Sequence, residues 1–158
     1  MPRDHRQVNA SDAERLYLED IYVGQRFASA SHLVDAQQIK RFARDYDPQA
    51  FHLSEEAAAS SIFGSLAASG WHTMAISMRL LVESIPLADG VIGAGAEVSW
   101  PKPTRPGMAL QVFSEFIDIK PSRSKPDRAI VTMRSETRDQ DSEVVQITIA
   151  KLVVFKRP

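Results

Sequence analysis

Cysteine is absent from the 158-residue chain, which excludes disulfides, thiolate metal sites and a cysteine nucleophile. Long apolar runs are also missing, since no stretch approaches the roughly 18 apolar residues that a membrane-spanning helix needs. The formal net charge is only −1, so the chain as a whole has no general attraction for nucleic acid or anionic membranes. Residues 1–14 are polar and charged, without the apolar run of a signal peptide. We therefore expect a soluble, cytoplasmic protein.

The composition is that of an ordinary globular protein. Hydrophobic residues make up 44% of the chain and charged residues 25%, and this length suffices for one domain with a hydrophobic core. Residues 1–16 show no apolar periodicity, and we expect them to form a mobile or partner-draped arm. Residues 17–158 are expected to fold as a single domain.

Helical signals occupy the first half of this domain. Asp35 is a suitable N-cap for a helix over residues 36–44. Pro48 ends this helical stretch, because the residue before a proline resists the α conformation. Ser54 can cap a second, short helix that extends to about residue 60.

The second half contains one buried helix and several strands. The segment 71–84 is apolar on most sides, and such a helix is usually buried. Segments with partial apolar alternation and β-branched residues are expected to be strands; they are residues 91–100, 110–119, 129–137 and 144–155, besides short candidates at 22–27 and 31–34. Together they indicate an α+β fold in which an antiparallel sheet wraps around the central helix. Such a sheet has a free edge and an uncovered face, so pairing with a second copy is expected.

Asp47 and His52 are the first candidates for chemistry. They lie five positions apart across a turn at Pro48, and an aspartate together with a histidine can hold and polarise a water molecule. Gly70 begins the buried helix, where a backbone N–H can stabilise negative charge on a carbonyl oxygen. These groups could add water to an acyl thioester or remove it. From the residues alone, an Asp-Pro turn, a packed histidine and a helix-entry glycine remain open as explanations.

The segment FARDYDPQAFHLSEEA at residues 42–57, followed by ASGWHT at residues 68–73, resembles the hydratase motif of the MaoC-like dehydratases. The resemblance extends over residues 17–155, and this family is similar to the (R)-specific enoyl-CoA hydratases. It implies a single hot-dog domain, with the helices of residues 36–61 as an overhang across the mouth of a tunnel. It also implies a homodimer, or a multiple of dimers, with the sites near the subunit interface. The implied activity is that of a hydratase or dehydratase interconverting trans-2-enoyl and 3-hydroxyacyl thioesters.

The same resemblance assigns roles to individual residues. Asp47 and His52 become the acid–base pair, and the N–H of Gly70 becomes the donor to the thioester carbonyl. The commoner family motif has Asn-Pro between the acid and the histidine, and aligning the prolines would make Asp45 the acid instead. A histidine often precedes the glycine in the family, whereas this chain has Ser69. The backbone N–H of Gly70 is present whichever residue precedes it.

The substrate is expected to be a thioester of CoA or of acyl carrier protein. No cofactor and no metal is required, because the thioester itself activates the double bond, and the histidines lack the spacing of metal ligands.

A basic run around Pro121 and Pro126, with Lys102 and Arg105 as similar candidates, could meet the phosphates of CoA. A solvated loop is the alternative. His72 is expected to be neutral, since it lies in the first helical turn, where the dipole disfavours a cation. The candidate substrate-binding residues are Asp45, Ser69, Trp71, His72, Arg123 and Lys125.

Two other functions are compatible with this fold. A hot-dog thioesterase would direct water to C1 rather than C3 and would need a carboxylate near the start of the buried helix. The first acid after Gly70, however, is Glu83. A non-catalytic subunit that binds acyl thioesters or a partner protein would keep the fold without the chemistry. The absence of a histidine before Gly70 is the observation that favours this alternative.

Overall fold

The structure is a computed structural model that describes residues 14–158. Residues 1–13 of the predicted arm lie outside the described residues. Leu16, at the end of the predicted arm, is anchored, because its backbone is hydrogen-bonded to Pro86 (2.8 Å) and Ala88 (2.9 Å). The elements in chain order are a short 3₁₀ helix at Leu18–Asp20, β1 (Arg26–Ala28), β2 (His32–Leu33), α1 (Ala36–Tyr46), α2 (Ala50–Leu53), α3 (Glu55–Ala59), α4 (Gly70–Ser84), β3 (Ile92–Ser99), β4 (Ala109–Pro121), β5 (Arg128–Arg138) and β6 (Val144–Phe155).

One antiparallel sheet carries α4 on its inner face. The strand order is β1-β4-β5-β6-β3, and the short β2 pairs with the start of β4. Burial alternates strictly along β5, as expected for a strand with one face turned to the core. Ser77 of α4 contacts Thr137 of β5 through their hydroxyl oxygens (2.7 Å). The predicted arrangement, a sheet curved around one central helix, is therefore the one observed.

Local capping signals explain where the helices begin. Asp35 accepts a hydrogen bond from the backbone N–H of Gln38 (2.8 Å), and Ser54 accepts one from that of Ala57 (3.3 Å). Both predicted N-caps are confirmed. The single turn of α2 was not predicted, because a four-residue helix is too short to show apolar periodicity.

Two connections position the site. The α3–α4 loop, residues 60–69, leads from the overhanging short helices into the buried helix. The β3–β4 corner, residues 100–107, contains three prolines and turns the chain from one side of the sheet to the other. The backbone N–H of Ala68 in the loop donates to the carbonyl of Thr104 in the corner (2.8 Å), so the two connections are joined.

One side of the single chain is left apolar and uncovered. β3 lies at the edge of the sheet and is exposed along nearly its whole length. The helix α4 also exposes large apolar side chains, including Trp71 (62%), Met78 (37%) and Val82 (53%). None of the helices within residues 14–158 is both long and apolar enough to cross a membrane.

Candidate active site

Asp47 and His52 are brought together by the break between α1 and α2. Asp47 caps the C-terminus of α1, where its backbone N–H donates to the carbonyl of Ala43 (2.9 Å). The chain leaves the helix there because Asp47 precedes a proline, and α2 begins two residues after that proline. His52 lies within α2, and its Nε2 is 3.3 Å from Oδ2 of Asp47. Both side chains are largely buried, with 6% of the His52 side chain and 17% of the Asp47 side chain exposed.

A backbone carbonyl orients the imidazole of His52. Nδ1 lies 2.6 Å from the carbonyl oxygen of Ala67 in the α3–α4 loop. Since a carbonyl oxygen only accepts, Nδ1 is assigned the proton, and Nε2 of the neutral ring is then an acceptor. Nε2 and the Asp47 carboxylate thus form a pair of acceptors 3.3 Å apart. A water molecule that bridges the two atoms from the side can donate one proton to each.

The carboxyl group of Asp47 is held in its ionised form. Partial burial would raise its pKa, but the side chains of Ser69 and Gln49, as hydrogen-bond donors, lower the pKa below its ordinary value. The Gln49 amide donates to Oδ1 at 2.7 Å, which leaves Oδ2 directed towards His52. The group is therefore a carboxylate, able to accept a proton, at neutral pH.

The N-terminus of α4 presents a free backbone donor beside this pair. Ser69 caps the helix, accepting from the N–H of Trp71 at its side chain (3.3 Å) and from those of His72 (3.0 Å) and Thr73 (3.1 Å) at its carbonyl. The N–H of Gly70, in contrast, makes no hydrogen bond to any residue in the described part of the chain. It remains available, at the positive end of the helix dipole, for a negatively polarised oxygen.

The indole of Trp100 explains why residue 70 is a glycine. A Cβ at this position would lie 2.7 Å from Cε2 of Trp100, closer than real side-chain contacts allow. Nε1 of Trp100 donates to Oε1 of Gln146 (3.0 Å), a side chain that is 1% exposed. The indole is thus fixed over the first residue of α4. A cleft of about 210 Å³ runs between His52, Phe63, the start of α4 and residues 100–104.

Comparison with known proteins identifies the family. The family model described as "MaoC like domain" matches residues 22–138. The chain belongs to the MaoC-like dehydratase family. A crystal structure of a MaoC-like dehydratase from Rhodospirillum rubrum is 62% identical, with a TM-score of 0.89, and the match covers 90% of this chain and 99% of that one.

Two further relatives are more distant. The protein YdeM of Bacillus subtilis (strain 168) is 35% identical over 126 residues, which cover 78% of this chain and 87% of YdeM. R-hydratase PhaJ1 from Pseudomonas aeruginosa shares 20% identity with a TM-score of 0.72, and the match covers 90% of this chain and 88% of that one. The predicted family and the α+β hot-dog fold of this MaoC-like protein are therefore confirmed.

The other predicted residues near the motif take different places. Asp45 is exposed on the last turn of α1, and Asp47 is the acid that pairs with His52. Ser69 is buried, and its hydroxyl helps to lower the pKa of Asp47, so it supports the pair. Trp71 is exposed and packs edge-to-face against Trp100 at 5.8 Å. Of these residues, only His52 lines the cleft itself.

His72 faces away from the cleft, towards α1. It is stacked on Phe42, with ring centroids 4.7 Å apart. Among the residues the structure describes, its Nδ1 is the one buried side-chain polar atom without a hydrogen-bond partner. Burial, with a smaller contribution from His32, lowers the pKa of His72 to about 4. The ring is therefore neutral at physiological pH, as expected, but burial rather than the helix dipole is the main cause.

Of the basic residues considered for CoA phosphates, Lys102 lines the cleft, whereas Arg123 and Lys125 lie apart from it within one chain. Arg123 and Lys125 are in the hairpin between β4 and β5, whereas the β3–β4 corner meets the opposite hairpin through the ion pair of Lys102 with Glu143. The two hairpins are separated by the 11 residues of β5, or roughly 35 Å. A phosphate contact by Arg123 or Lys125 stays a prediction, and one chain by itself does not bring them to the site.

Sequence reasoning missed the residues that shape the site from a distance. The carbonyl of Ala67, the ring of Phe63 and the indole of Trp100 all contact site residues. Backbone carbonyls carry no residue-type signal, and the indole comes from the end of a strand 30 residues after Gly70. The proline-rich corner was the one visible signal in the sequence, because it marks a fixed turn.

Proposed function

We propose that this MaoC-like protein catalyses the reversible hydration of a trans-2-enoyl thioester to a 3-hydroxyacyl thioester, with CoA as the expected thiol. The observation that carries the proposal is the pair of acceptors, Oδ2 of Asp47 and Nε2 of His52, 3.3 Å apart beside a helix N-terminus with a free N–H. The similarity to R-hydratase PhaJ1 supports this reaction class.

In the proposed mechanism the two side chains share one water. The water oxygen attacks C3 of the enoyl group while one of the pair, Asp47 or His52, takes its proton. The electrons of the double bond move towards the thioester carbonyl and give an enolate-like intermediate. The proton that the pair has taken from the water is then delivered to C2, either by the group that took it or after passing to its neighbour. The thioester bond stays intact, and the pair returns to its starting charge when the protons redistribute.

Gly70 would stabilise the intermediate. Its N–H is the unused donor at the start of α4, and the carbonyl oxygen gains negative charge as water adds. A preorganised donor of this kind typically changes the rate by about 10²–10³-fold. Because the thioester and this donor together activate the double bond, the reaction as proposed needs no cofactor.

Assembly into a homodimer is part of the proposal. The edge of β3 and the apolar side chains of α4 are both uncovered in the single chain, and Trp71 of α4 packs against Trp100, which directly follows β3. An exposed edge strand beside an apolar surface favours pairing with a second copy. We expect dimers or multiples of dimers in solution.

A two-channel assay tests the function. Purified protein is mixed with trans-2-butenoyl-CoA, and the loss of enoyl absorbance is followed together with the release of free thiol. Hydration predicts that the absorbance falls while no thiol appears. Thiol release would indicate the thioesterase, and binding without turnover of any enoyl-CoA would indicate the non-catalytic subunit. Either result would overturn the proposal.

A further inference from the structure

We propose that Arg105 is a positioning residue, which fixes the α3–α4 loop so that the carbonyl of Ala67 holds the imidazole of His52. Its Nη1 donates to the carbonyl oxygen (3.0 Å) and the hydroxyl oxygen (2.5 Å) of Ser65, and its Nη2 donates to the carbonyl oxygen of Phe63 (2.6 Å). Hydrogen bonds from a charged donor are stronger than neutral ones. A single guanidinium thus forms hydrogen bonds to two residues of the loop.

Arg105 has no ionic partner in the described part of the chain. Within residues 14–158, no carboxylate oxygen lies within 4.0 Å of its guanidinium. Its three acceptors all belong to the α3–α4 loop, at a sequence distance of 40 residues or more. The side chain is therefore committed to this loop and does not form part of a surface ion-pair network.

The anchors enclose the residue that orients His52. Arg105 holds Phe63 and Ser65, and the adjacent Thr104 accepts a hydrogen bond from the N–H of Ala68 (2.8 Å). Ala67 lies between these anchor points. Its carbonyl, which accepts from Nδ1 of His52 (2.6 Å), thus belongs to a segment that is held on both sides.

A second contact of the imidazole depends on the same guanidinium. The ring of Phe63 packs against Phe51 (5.1 Å) and His52 (5.9 Å between centroids). Because Arg105 holds the backbone of Phe63, it fixes both the hydrogen bond and the packing that set the direction of Nε2. Arg105 itself does not line the cleft, so it acts through His52 and not on the substrate.

Kinetics of two substitutions test the effect on catalysis, which rests on the proposed hydratase function. Arg105→Gln should lower kcat by about 10- to 100-fold, the cost of misplacing a reacting group by up to 1 Å, with KM little changed. Arg105→Lys should fall between this variant and the wild type, because one ammonium cannot replace a planar fork that spans two residues. Arg26→Gln, at an exposed ion pair on the outer face of the sheet, is the matched control and should retain full activity.

A spectroscopic measurement tests the positioning without any turnover. Nitrogen-15 imidazole spectra of the four-histidine chain, with His52 assigned from a His52→Asn variant, report which ring nitrogen carries the proton. The wild type should show the proton on Nδ1 alone, and the Arg105 variants should show a mixture of tautomers. Should Arg105→Gln fail to fold, Arg105→Lys provides the same readout. An unchanged His52 tautomer in a folded Arg105 variant would overturn the proposal, even if the protein proved not to be a hydratase.

Discussion

Asp47→Asn replaces one carboxylate oxygen by an amide nitrogen at nearly constant shape. The Oδ1 of the asparagine can still accept from Gln49, which donates at 2.7 Å in the wild type. The amide nitrogen then occupies the position of Oδ2, 3.3 Å from Nε2 of His52, and an amide N–H donates to a ring nitrogen that accepts. The substitution therefore removes one acceptor for the water and ties up the other.

The expected loss follows from this geometry. Removing a positioned acid–base group costs about 10²–10⁴ in kcat, which corresponds to a barrier higher by about 3–5 kcal/mol. The fold should persist, because the side chain keeps its volume and its hydrogen bond from Gln49, and the free energy of unfolding should change by no more than ~1 kcal/mol.

The assay is the decrease of enoyl absorbance with trans-2-butenoyl-CoA, with thermal unfolding measured on the same samples. Asp45→Asn is the matched control, since Asp45 is exposed two residues away, and it should retain near wild-type turnover. Near-normal activity of Asp47→Asn would show that its carboxylate is not the acid–base group, and an inactive Asp45→Asn beside it would move that role to Asp45.

Three further predictions concern the surroundings of this pair. Gly70→Ala should lower the rate of hydration at least about tenfold, because its Cβ would lie 2.7 Å from Trp100 next to the oxyanion donor. Adding Trp100→Ala to the same chain should recover part of the lost rate. An equal loss with and without Trp100→Ala would exclude this clash as the cause. A second prediction concerns His72, whose pKa is about 4 in the folded chain against an ordinary value of 6.5. As the pH falls from 6.5 to 5, the unfolded chain binds a proton that the folded chain does not bind. At about 1.4 kcal/mol per pKa unit, the free energy of unfolding should therefore fall by at most ~2 kcal/mol over this range. Urea unfolding at the two pH values should show this decrease in the wild type and a smaller one in His72→Leu. Met78→Glu, on the exposed face of α4, should shift the species seen in analytical sedimentation from dimer to monomer. The control Arg79→Gln should remain a dimer. A dimeric Met78→Glu would count against a dimer interface on α4.

Patterns local in sequence predicted much of the fold. Asp35 and Ser54 are N-caps in the structure because a capping side chain contacts a backbone N–H only three residues away. Along β5, and over most of β4, buried residues alternate with half-buried ones, which the spacing of apolar residues already shows. The proximity of Asp47 and His52 follows from the turn that Pro48 imposes between them.

Contacts between distant segments could not be predicted. Trp100 reaches Gly70 across 30 residues, and Arg105 reaches Phe63 across 42; neither contact leaves a pattern in a single sequence. The charge of Arg105 alone makes it a candidate for phosphate binding, whereas its guanidinium is used inside the chain. The positions of Arg123 and Lys125, at the far end of β5, likewise depend on the topology of the sheet and not on composition.

The most direct test of the central claim is a crystal structure of the wild-type protein with butanoyl-CoA, which has the thioester but no double bond to hydrate. The thioester carbonyl oxygen should lie within about 3.2 Å of the backbone nitrogen of Gly70, with C3 facing Oδ2 of Asp47 and Nε2 of His52 across one ordered water. An acyl group that binds with its carbonyl elsewhere, or with C1 rather than C3 facing that water, would contradict the account.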